Sequence, residues 1–566
     1  MLSDKISVRN LVQACHDAGV TDVIISPGSR NAPLIISFNG HGGFNCLSIP
    51  DERVAGFFGL GMAQQTGNPV ILVCTSGTAV LNYAPAICEA YYQRIPLLVI
   101  SADRPSNRVD QGESQTINQF EVFRNYTKGY FGLHEDDKKQ TTLKYNNRLV
   151  CEALDLLGQP SPGPVHINIP FSEPLYNRSR ISSKPTTALP EILQPEKKIS
   201  ADSLRKLRSV WEKEPKKLIF CGLMPPDPEL NELLHQIASD PSVVILTETT
   251  ANQNSHRFIT CVDRVISTFN ETSKSIYKPE LLITIGNCVI SKMFRAWLRE
   301  FQPKHHWHID AGQPMQDTYD SQTLAIKADP KEILKTFKKR MPTSNSHYSG
   351  LWGGKNARIW KRHTSYLLND CPWSDLKVFD LLLPLIPENS VLQMGNSTVV
   401  RYIQLFDQRA DIVYNSNRGV SGIDGCTSTA TGAAWSSSKR VTLITGDVAF
   451  LYDSNAFWHN QLNANLRIIL INNGGGGIFR FLDGPERSGL LDTYFETQHN
   501  VSVKHICQAF DINHDVVHNE EELNHALELF YEPTENERPA VLEIFTPREE
   551  NAVILKQYFD VLKKKR

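Results

Sequence analysis

The sequence has no run of about 20 apolar residues, the length a membrane-spanning helix needs, so membrane insertion is not expected. No Cys-x-x-Cys pair occurs among its eleven cysteines, and their number is odd. That argues against a structural zinc site or a disulfide framework, and reduced thiols in the cytoplasm are the expectation. A surplus of either charge is also missing. Against 59 Lys and Arg stand 61 Asp and Glu, a net −2, where a nucleic-acid binder carries a basic excess. Glycine (33) and proline (32) are too sparse for a collagen-like or low-complexity chain. The opening stretch MLSDKISVRNLVQACHDAGV scatters charge where a secretory signal has its apolar core, so no signal segment is expected.

What is present is a soluble-type composition, 41% hydrophobic and 21% charged, over 566 residues. At about 150 residues per domain that length implies three or four separately packed units. Short Val/Ile-rich runs recur: DVIIS at 22–26, VILVC at 70–74, LLVIS at 97–101 and VHINI at 165–169. Their lack of polar alternation predicts strands buried on both faces. Helical spacing over 54–65 and 80–93 separates them, a pattern that predicts a parallel α/β sheet. Polar stretches at 177–200 and 341–357 read as boundaries. The strand pattern resumes after each, with LIFCG, VVIL, LLITIG and HHWHID between them, then VLQMG, IVYN, VTLITGD, RIILINN and VLEIF beyond the second. The expected architecture is three open parallel-sheet α/β domains, at 1–180, 200–340 and 355–566. HHWH at 305–308 has no matching ligand cluster and reads as a structural strand, and KKKR at 563–566 as a solvated helix end.

In open α/β sheets ligands bind beyond the carboxyl ends of the strands. VTLITGD ends in Gly446-Asp447, and RIILINN ends in Asn472-Asn473, 26 residues after Asp447, followed by Gly474 to Gly477. One strand–helix–strand unit of about 30 residues returns the chain to a neighbouring parallel strand, so both ends face one crevice. A carboxylate and an amide oxygen there suit Mg²⁺. The glycine run would bring the backbone close to a phosphate and offer free N–H donors. No Gly-Lys-Ser/Thr follows these glycines, which excludes a Walker-type site. In the first region CLSIP runs into Asp51-Glu52-Arg53 and a nearly uncharged helix, which places Glu52 at a strand-to-helix junction in packed surroundings. Arginines follow strands in Ser26-Pro27-Gly28-Ser29-Arg30, in Ala102-Asp103-Arg104-Pro105 and in Asn417-Arg418-Gly419, with Arg401 one turn after Gly395-Asn396-Ser397. Guanidinium groups grouped on ligand-bearing sheet edges point to carboxylate substrates.

The GD…NN pair resembles the diphosphate and metal motif of thiamine-diphosphate enzymes. SPGSR, ADRP and NRG-SGIDG narrow the resemblance to the family's menaquinone-pathway branch. The resemblance implies thiamine diphosphate with Mg²⁺ (Mn²⁺ as a substitute), held by the Asp447 and Asn473 side chains and the Gly475 carbonyl, with Gly446 and Gly476 at the diphosphate. Glu52 would activate the cofactor's aminopyrimidine, and Ile423 would wedge beneath it. The implied reaction is decarboxylation of 2-oxoglutarate and conjugate addition of the succinyl unit to isochorismate. Ser397, Arg401 and Arg418 would hold the first substrate. Ser29, Arg30, Arg104, Gln115 and Lys292 would hold the second. Ile478, Phe479 and Leu482 would line the apolar side. A homo-oligomer, dimer or tetramer, with each site shared between subunits is implied as well. The alternatives are another thiamine-diphosphate-dependent 2-oxoacid decarboxylase or carboligase, which has no need of the arginine set, and a non-catalytic homologue, which has no need of Glu52, Asp447 and Asn473 together.

Overall fold

The computed structural model describes residues 1–136, 139–158, 161–180, 198–338, 346–481, 483–533 and 538–564. It contains three parallel sheets. The first runs Asn45–Ser48, Asp22–Ile25, Val70–Cys74, Leu97–Asp103, Val165–Pro170, Tyr130–Gly132 across its width. The middle sheet runs Val243–Thr247, Lys217–Cys221, Leu281–Ile285, His305–Ile309, Leu324–Ile326. The third runs Val413–Asn415, Val391–Met394, Val441–Gly446, Leu466–Asn472, Ala540–Phe545, Asn513–Val517. Counted in chain order within each sheet, the first and third share the order 2-1-3-4-6-5, and the middle sheet is 2-1-3-4-5. All three reverse direction between their first and third strands, which opens a crevice there at the carboxyl edge.

The predicted interior strands are all present. Besides the two-residue antiparallel pair Leu2–Ser3 and Arg178–Ser179, three strands escaped the sequence reading: Tyr130–Gly132, Leu324–Ile326 and Asn513–Val517. Each lies at one edge of its sheet. An edge strand buries one flank only, so Asn513–Val517 keeps polar, exposed residues and gives no continuous apolar run. The single helix expected over 80–93 is two, Ala79–Asn82 and Ala84–Gln93. Pro85, in the first turn of the second, has no N–H to continue the earlier one. The boundary read at 341–357 is helical from residue 348. Helix Tyr348–Asn369 buries Tyr348, Trp352, Ile359, His363, Tyr366 and Leu367 on one face and leaves its glycines and lysines outside. Most of the other boundary, 181–197, and the last two residues of the basic C-terminal stretch lie outside the described residues. The HHWH segment is a strand, and Thr284 Oγ1 lies 3.1 Å from His306 Nε2 and 2.9 Å from His308 Nδ1. Among the described residues no helix is long and apolar enough to cross a membrane.

The first and third regions meet through two helices, Glu52–Thr66 and Cys426–Ser436. Every residue from Val54 to Ala63 is buried. The two backbones touch at glycines: a Cβ on Gly61 would lie 2.0 Å from the Thr429 carbonyl oxygen, and one on Gly432 2.0 Å from that of Phe58. No side chain fits between helices this close, so the sequence must be small at both positions. The crossing fixes Glu52, at the start of the first helix, relative to the third sheet.

Candidate active site

Strands Val441–Gly446 and Leu466–Asn472 are parallel neighbours, with Gly446 opposite Ile471. Their ends therefore stand side by side. Gly446 closes the first strand, and Asp447 begins a short helix, Asp447–Tyr452. The Asp447 carboxylate is buried. It accepts from Val448 N at 2.7 Å and from Gly475 N at 2.9 Å, so the two strand ends are joined directly. His499 Nε2 stands 3.3 Å from Asp447 Oδ2, and this contact raises the histidine's pKa. Asn473 donates to Asp375 Oδ2 at 3.4 Å, while its own Oδ1 is buried without a hydrogen-bond partner. An orphaned buried oxygen is costly, and a cation satisfies it. Among the described residues no group of three His, Cys, Asp or Glu side chains could hold a metal. The Asp447 carboxylate and the orphaned Asn473 Oδ1 are oxygen donors of the kind that suit Mg²⁺.

The expectation of free glycine N–H donors fails. Gly474 N donates to Asn472 Oδ1, Gly475 N to Asp447, Gly476 N to the Glu496 carbonyl and Gly477 N to the Gly475 carbonyl. The run instead serves close approach. Gly474 has φ +75°, Gly475 has φ +157°, and a Cβ on Gly475 would meet the Glu496 carbonyl at 2.8 Å. The loop folds back on residue 496, which consumes the donors that an open phosphate cradle would leave free.

Glu52 is the first residue of its helix, and Asp51 caps that helix by accepting from Arg53 N (3.0 Å) and Val54 N (3.2 Å). The cap turns the Glu52 side chain into a cavity lined by Gly28, Thr75, Ser76, Asn82 and Gln115. No other side chain bonds its carboxyl among the described residues, and burial raises its pKa, with a smaller push from Asp51. Burial that favours the neutral carboxyl suits a group that gives and takes a proton.

Arg30 is buried. It donates to the Phe171 carbonyl at 2.9 Å and pairs with Glu173 at 3.4 Å. Burial lowers its pKa, and the nearby charge of Arg104 adds to that. Arg104 donates to the Ser114 carbonyl at 3.1 Å, and the left-handed Gln115 (φ 52°) follows, its carbonyl held by Ser76 Oγ at 2.9 Å. Ser29 is exposed beside them. The first sheet thus gathers Ser29, Arg30, Arg104 and Gln115 at the same edge as Glu52.

A second cationic group lies between the middle and third regions. Lys292, Arg401 and Ile478 line one cavity of about 300 Å³, with Tyr402, Leu405 and Phe559 as apolar wall. Lys292, grouped from the sequence with Arg30 and Arg104, sits within this chain beside Arg401. Arg401 is the largest cause of its lowered pKa, ahead of burial, Arg295 and Arg418. Burial lowers the pKa of Arg401 and Arg418 too. Lys292, Arg401 and Lys556 outnumber Asp263 in the cavity lining, which leaves a positive potential that an anion balances. Ser397, at φ +73°, places its carbonyl 3.2 Å from Arg401 Nε. Ile423 is half-buried, next to Gly422. Phe479 stacks near Phe495 at 5.7 Å rather than lining this cavity. Leu482 lies outside the described residues.

Two residues at this site escaped the sequence reading. Asn396 is a hub: it donates to the Asn417 carbonyl (2.7 Å) and the Gly422 carbonyl (2.6 Å) and accepts from Arg418 at 3.0 Å. It thereby ties Arg418 to the segment that carries Ile423. Its place directly after a strand was its only sequence signal. Asp375, 98 positions before Asn473, accepts from it, from Thr546 at 2.6 Å and from Asn551 at 2.9 Å. Nothing local marks a residue that acts across that separation.

The family model for the N-terminal TPP-binding domain of thiamine pyrophosphate enzymes matches residues 8–122, and that for the C-terminal TPP-binding domain matches residues 393–544. Relatives named 2-succinyl-5-enolpyruvyl-6-hydroxy-3-cyclohexene-1-carboxylate synthase match over the whole length. The protein of Flavobacterium johnsoniae is 42% identical, covering 99% of this chain and 100% of its own. That of Porphyromonas gingivalis is 39% identical, covering 98% and 97%. That of Bacteroides thetaiotaomicron is 37% identical, covering all of both chains. The chain belongs to the thiamine pyrophosphate enzymes, in the 2-succinyl-5-enolpyruvyl-6-hydroxy-3-cyclohexene-1-carboxylate synthase family.

Proposed function

We propose that this chain decarboxylates 2-oxoglutarate and joins the resulting succinyl unit to isochorismate by conjugate addition, giving 2-succinyl-5-enolpyruvyl-6-hydroxy-3-cyclohexene-1-carboxylate and CO₂ in menaquinone biosynthesis. The observation that carries this reading is the presence of two separate cationic groups, Arg30 with Arg104 and Lys292 with Arg401 and Arg418. Both substrates are dicarboxylates, and each needs its own anion site. A decarboxylase of small apolar oxoacids needs neither. The free state of all eleven cysteines fits a reducing cytoplasm.

Thiamine diphosphate, when bound, supplies the nucleophilic carbon and the electron sink that loss of CO₂ requires. Asp447, Asn473 and the Gly475 carbonyl would hold its Mg²⁺, and Mn²⁺ would be accepted by the same oxygens. Glu52 holds and returns a proton at its carboxyl oxygen. Arg401 and Arg418 orient the carboxylates of 2-oxoglutarate, with Ser397 setting the Arg401 side chain. Ser29, Arg30, Arg104 and Gln115 orient isochorismate. Ile423 and Ile478 would keep water from the reacting carbon. The cavity at Glu52 contains neither Asp447 nor Asn473, and Asn473 opens into a different one. This supports a homo-oligomer in which Glu52 of one chain serves cofactor held by another.

The test is a turnover assay with thiamine diphosphate, Mg²⁺ and 2-oxoglutarate, with and without isochorismate. Isochorismate loss that needs every component, with the product identified by mass, is expected. Release of CO₂ with no isochorismate consumed would reject the ligation and leave a decarboxylase.

A further inference from the structure

Beneath the Lys292–Arg401 cavity lies a buried polar knot with no part in the reaction as described above. Glu248 follows strand Val243–Thr247 and is completely buried. Its two carboxylate oxygens accept from Ile290 N and Ser291 N, both at 2.7 Å. These residues immediately precede helix Lys292–Glu300. Ser291 Oγ caps that helix, accepting from Phe294 N at 2.9 Å, and donates its own proton to Asp263. Gln404, the residue after helix Val399–Ile403, reaches from the third region to both acids. Its Nε2 lies 3.4 Å from Glu248 Oε1 and 3.5 Å from Asp263 Oδ2.

Two carboxylates thus grip the start of the helix that carries Lys292 and touch the end of the helix that carries Arg401. Negative charge is favourable at a helix N-terminus, where N–H groups lack helical partners. Two buried acids so close together are costly unless paired. Burial pushes the Glu248 carboxyl up to about 7, with Asp263 adding to the push and Arg418 opposing it, and burial raises Asp263 against the opposing charges of Arg401 and Arg295. The knot therefore couples the cations of the cavity to acids from another region of the chain. A side chain as long as lysine keeps one position only if its helix does.

We propose that Glu248 and Asp263 are positioning residues that fix Lys292 against Arg401 and so set recognition of the dicarboxylic 2-oxoacid. The inference rests on reading this cavity as the 2-oxoglutarate site. Glu248 does not line the cavity, and Asp263 stands in its wall beside Lys292 and Arg401. Because both acids act through those cations, their loss should weaken substrate recognition and leave cofactor binding alone.

The experiment compares wild-type holoenzyme with Glu248→Gln and Ser291→Ala by hydrogen–deuterium exchange over residues 286–300 and by steady-state kinetics. Glu248→Gln loses a charge-assisted hydrogen bond, a change of about tenfold or more in an equilibrium. Amide exchange at residues 290–296 should rise by about that factor, KM for 2-oxoglutarate should rise about tenfold, and kcat should change by less than about threefold. Affinity for thiamine diphosphate should not move. Where Glu248→Gln does not fold, Ser291→Ala deletes one hydroxyl and gives the same two readouts. Unchanged exchange in an enzyme that turns over 2-oxoglutarate overturns the clamp. So does an equal loss of kcat and cofactor affinity, which marks a purely structural role. Faster exchange in a variant whose wild-type parent ignores 2-oxoglutarate leaves the clamp standing and rejects the substrate reading.

Discussion

The first and third regions repeat one strand order, 2-1-3-4-6-5, yet their crevices carry opposite chemistry. At the first sheet's edge stand Arg30, Arg104 and Glu52, the last in a cavity of hydroxyls and amides. At the third sheet's edge stand Asp447 and Asn473, which would offer oxygen to a cation, with Arg401 and Arg418 beyond them. Topology decided where ligands can sit in each, and the few residues after each strand decided which ligand. The two regions are held together by crossing helices at Gly61 and Gly432, so neither crevice is set independently. The middle region has the same opening order, and it contributes Lys292 and the acids beneath it rather than a cofactor end.

That comparison can be broken most severely at Glu52. Glu52→Gln should lower turnover by about 100-fold or more, the usual worth of a general acid–base group, with cofactor affinity retained in calorimetry. At the other crevice the losses should reverse. Asp447→Ala should weaken Mg²⁺-dependent cofactor binding by about 100-fold, since loss of even an outer partner costs about 10- to 100-fold. If the Asp447 variant bound cofactor normally, the metal site would lie elsewhere. Arg401→Ala removes a charge-assisted contact, about 1.5–3 kcal/mol, and should raise KM for 2-oxoglutarate about tenfold or more while KM for isochorismate stays put. Arg30→Ala should do the converse.

Smaller effects test the seam between the regions. Gly61→Ala places a Cβ against the Thr429 carbonyl and should cost about 1–3 kcal/mol in denaturant unfolding, with the same expected for Gly432→Ala. The pH dependence of stability should be the mildest signal. Asp453, near that seam, accepts from Ser428 N and Ser428 Oγ at 2.7 Å each, yet burial pushes its pKa up to about 7. Burial likewise pushes Asp375 up to about 6. A carboxyl whose folded pKa is raised adds stability below the unfolded value, about 4, and that stability is lost as pH rises through the folded value. Thermal stability should therefore fall as pH rises from about 4 to 7, and Asp453→Asn should flatten part of that slope.

Much of this was legible in the sequence because interior strands of parallel sheets are continuous apolar runs and because ligand residues follow them directly. Asp447, Asn473, Glu52 and the arginines all obey that rule. Of the six edge strands, Asn45–Ser48, Val243–Thr247 and Val413–Asn415 carry apolar runs and were read. The other three did not obey it, their exposed flank leaving them short or polar. Nor did Asp375, Glu248 and Asn396, whose partners lie on other elements, and a single sequence holds no trace of contacts between distant segments. Lys292 was found, but its neighbour was not: only the packing of the middle region on the third put it beside Arg401. The glycine run was read for its freedom of backbone, and its N–H groups are spent on Asp447, Asn472, Glu496 and Gly475.

The central claim is that the repeated regions supply complementary halves of one site shared between chains. Glu52→Gln and Asp447→Ala, each inactive alone, can be unfolded together, refolded together and assayed. In a random mixture of two-chain sites half the dimers pair unlike chains, and each such dimer has one intact site, so about a quarter of wild-type turnover should return. No recovery in properly assembled mixed dimers would contradict the account, because it would place Glu52 and Asp447 of the same chain in one site.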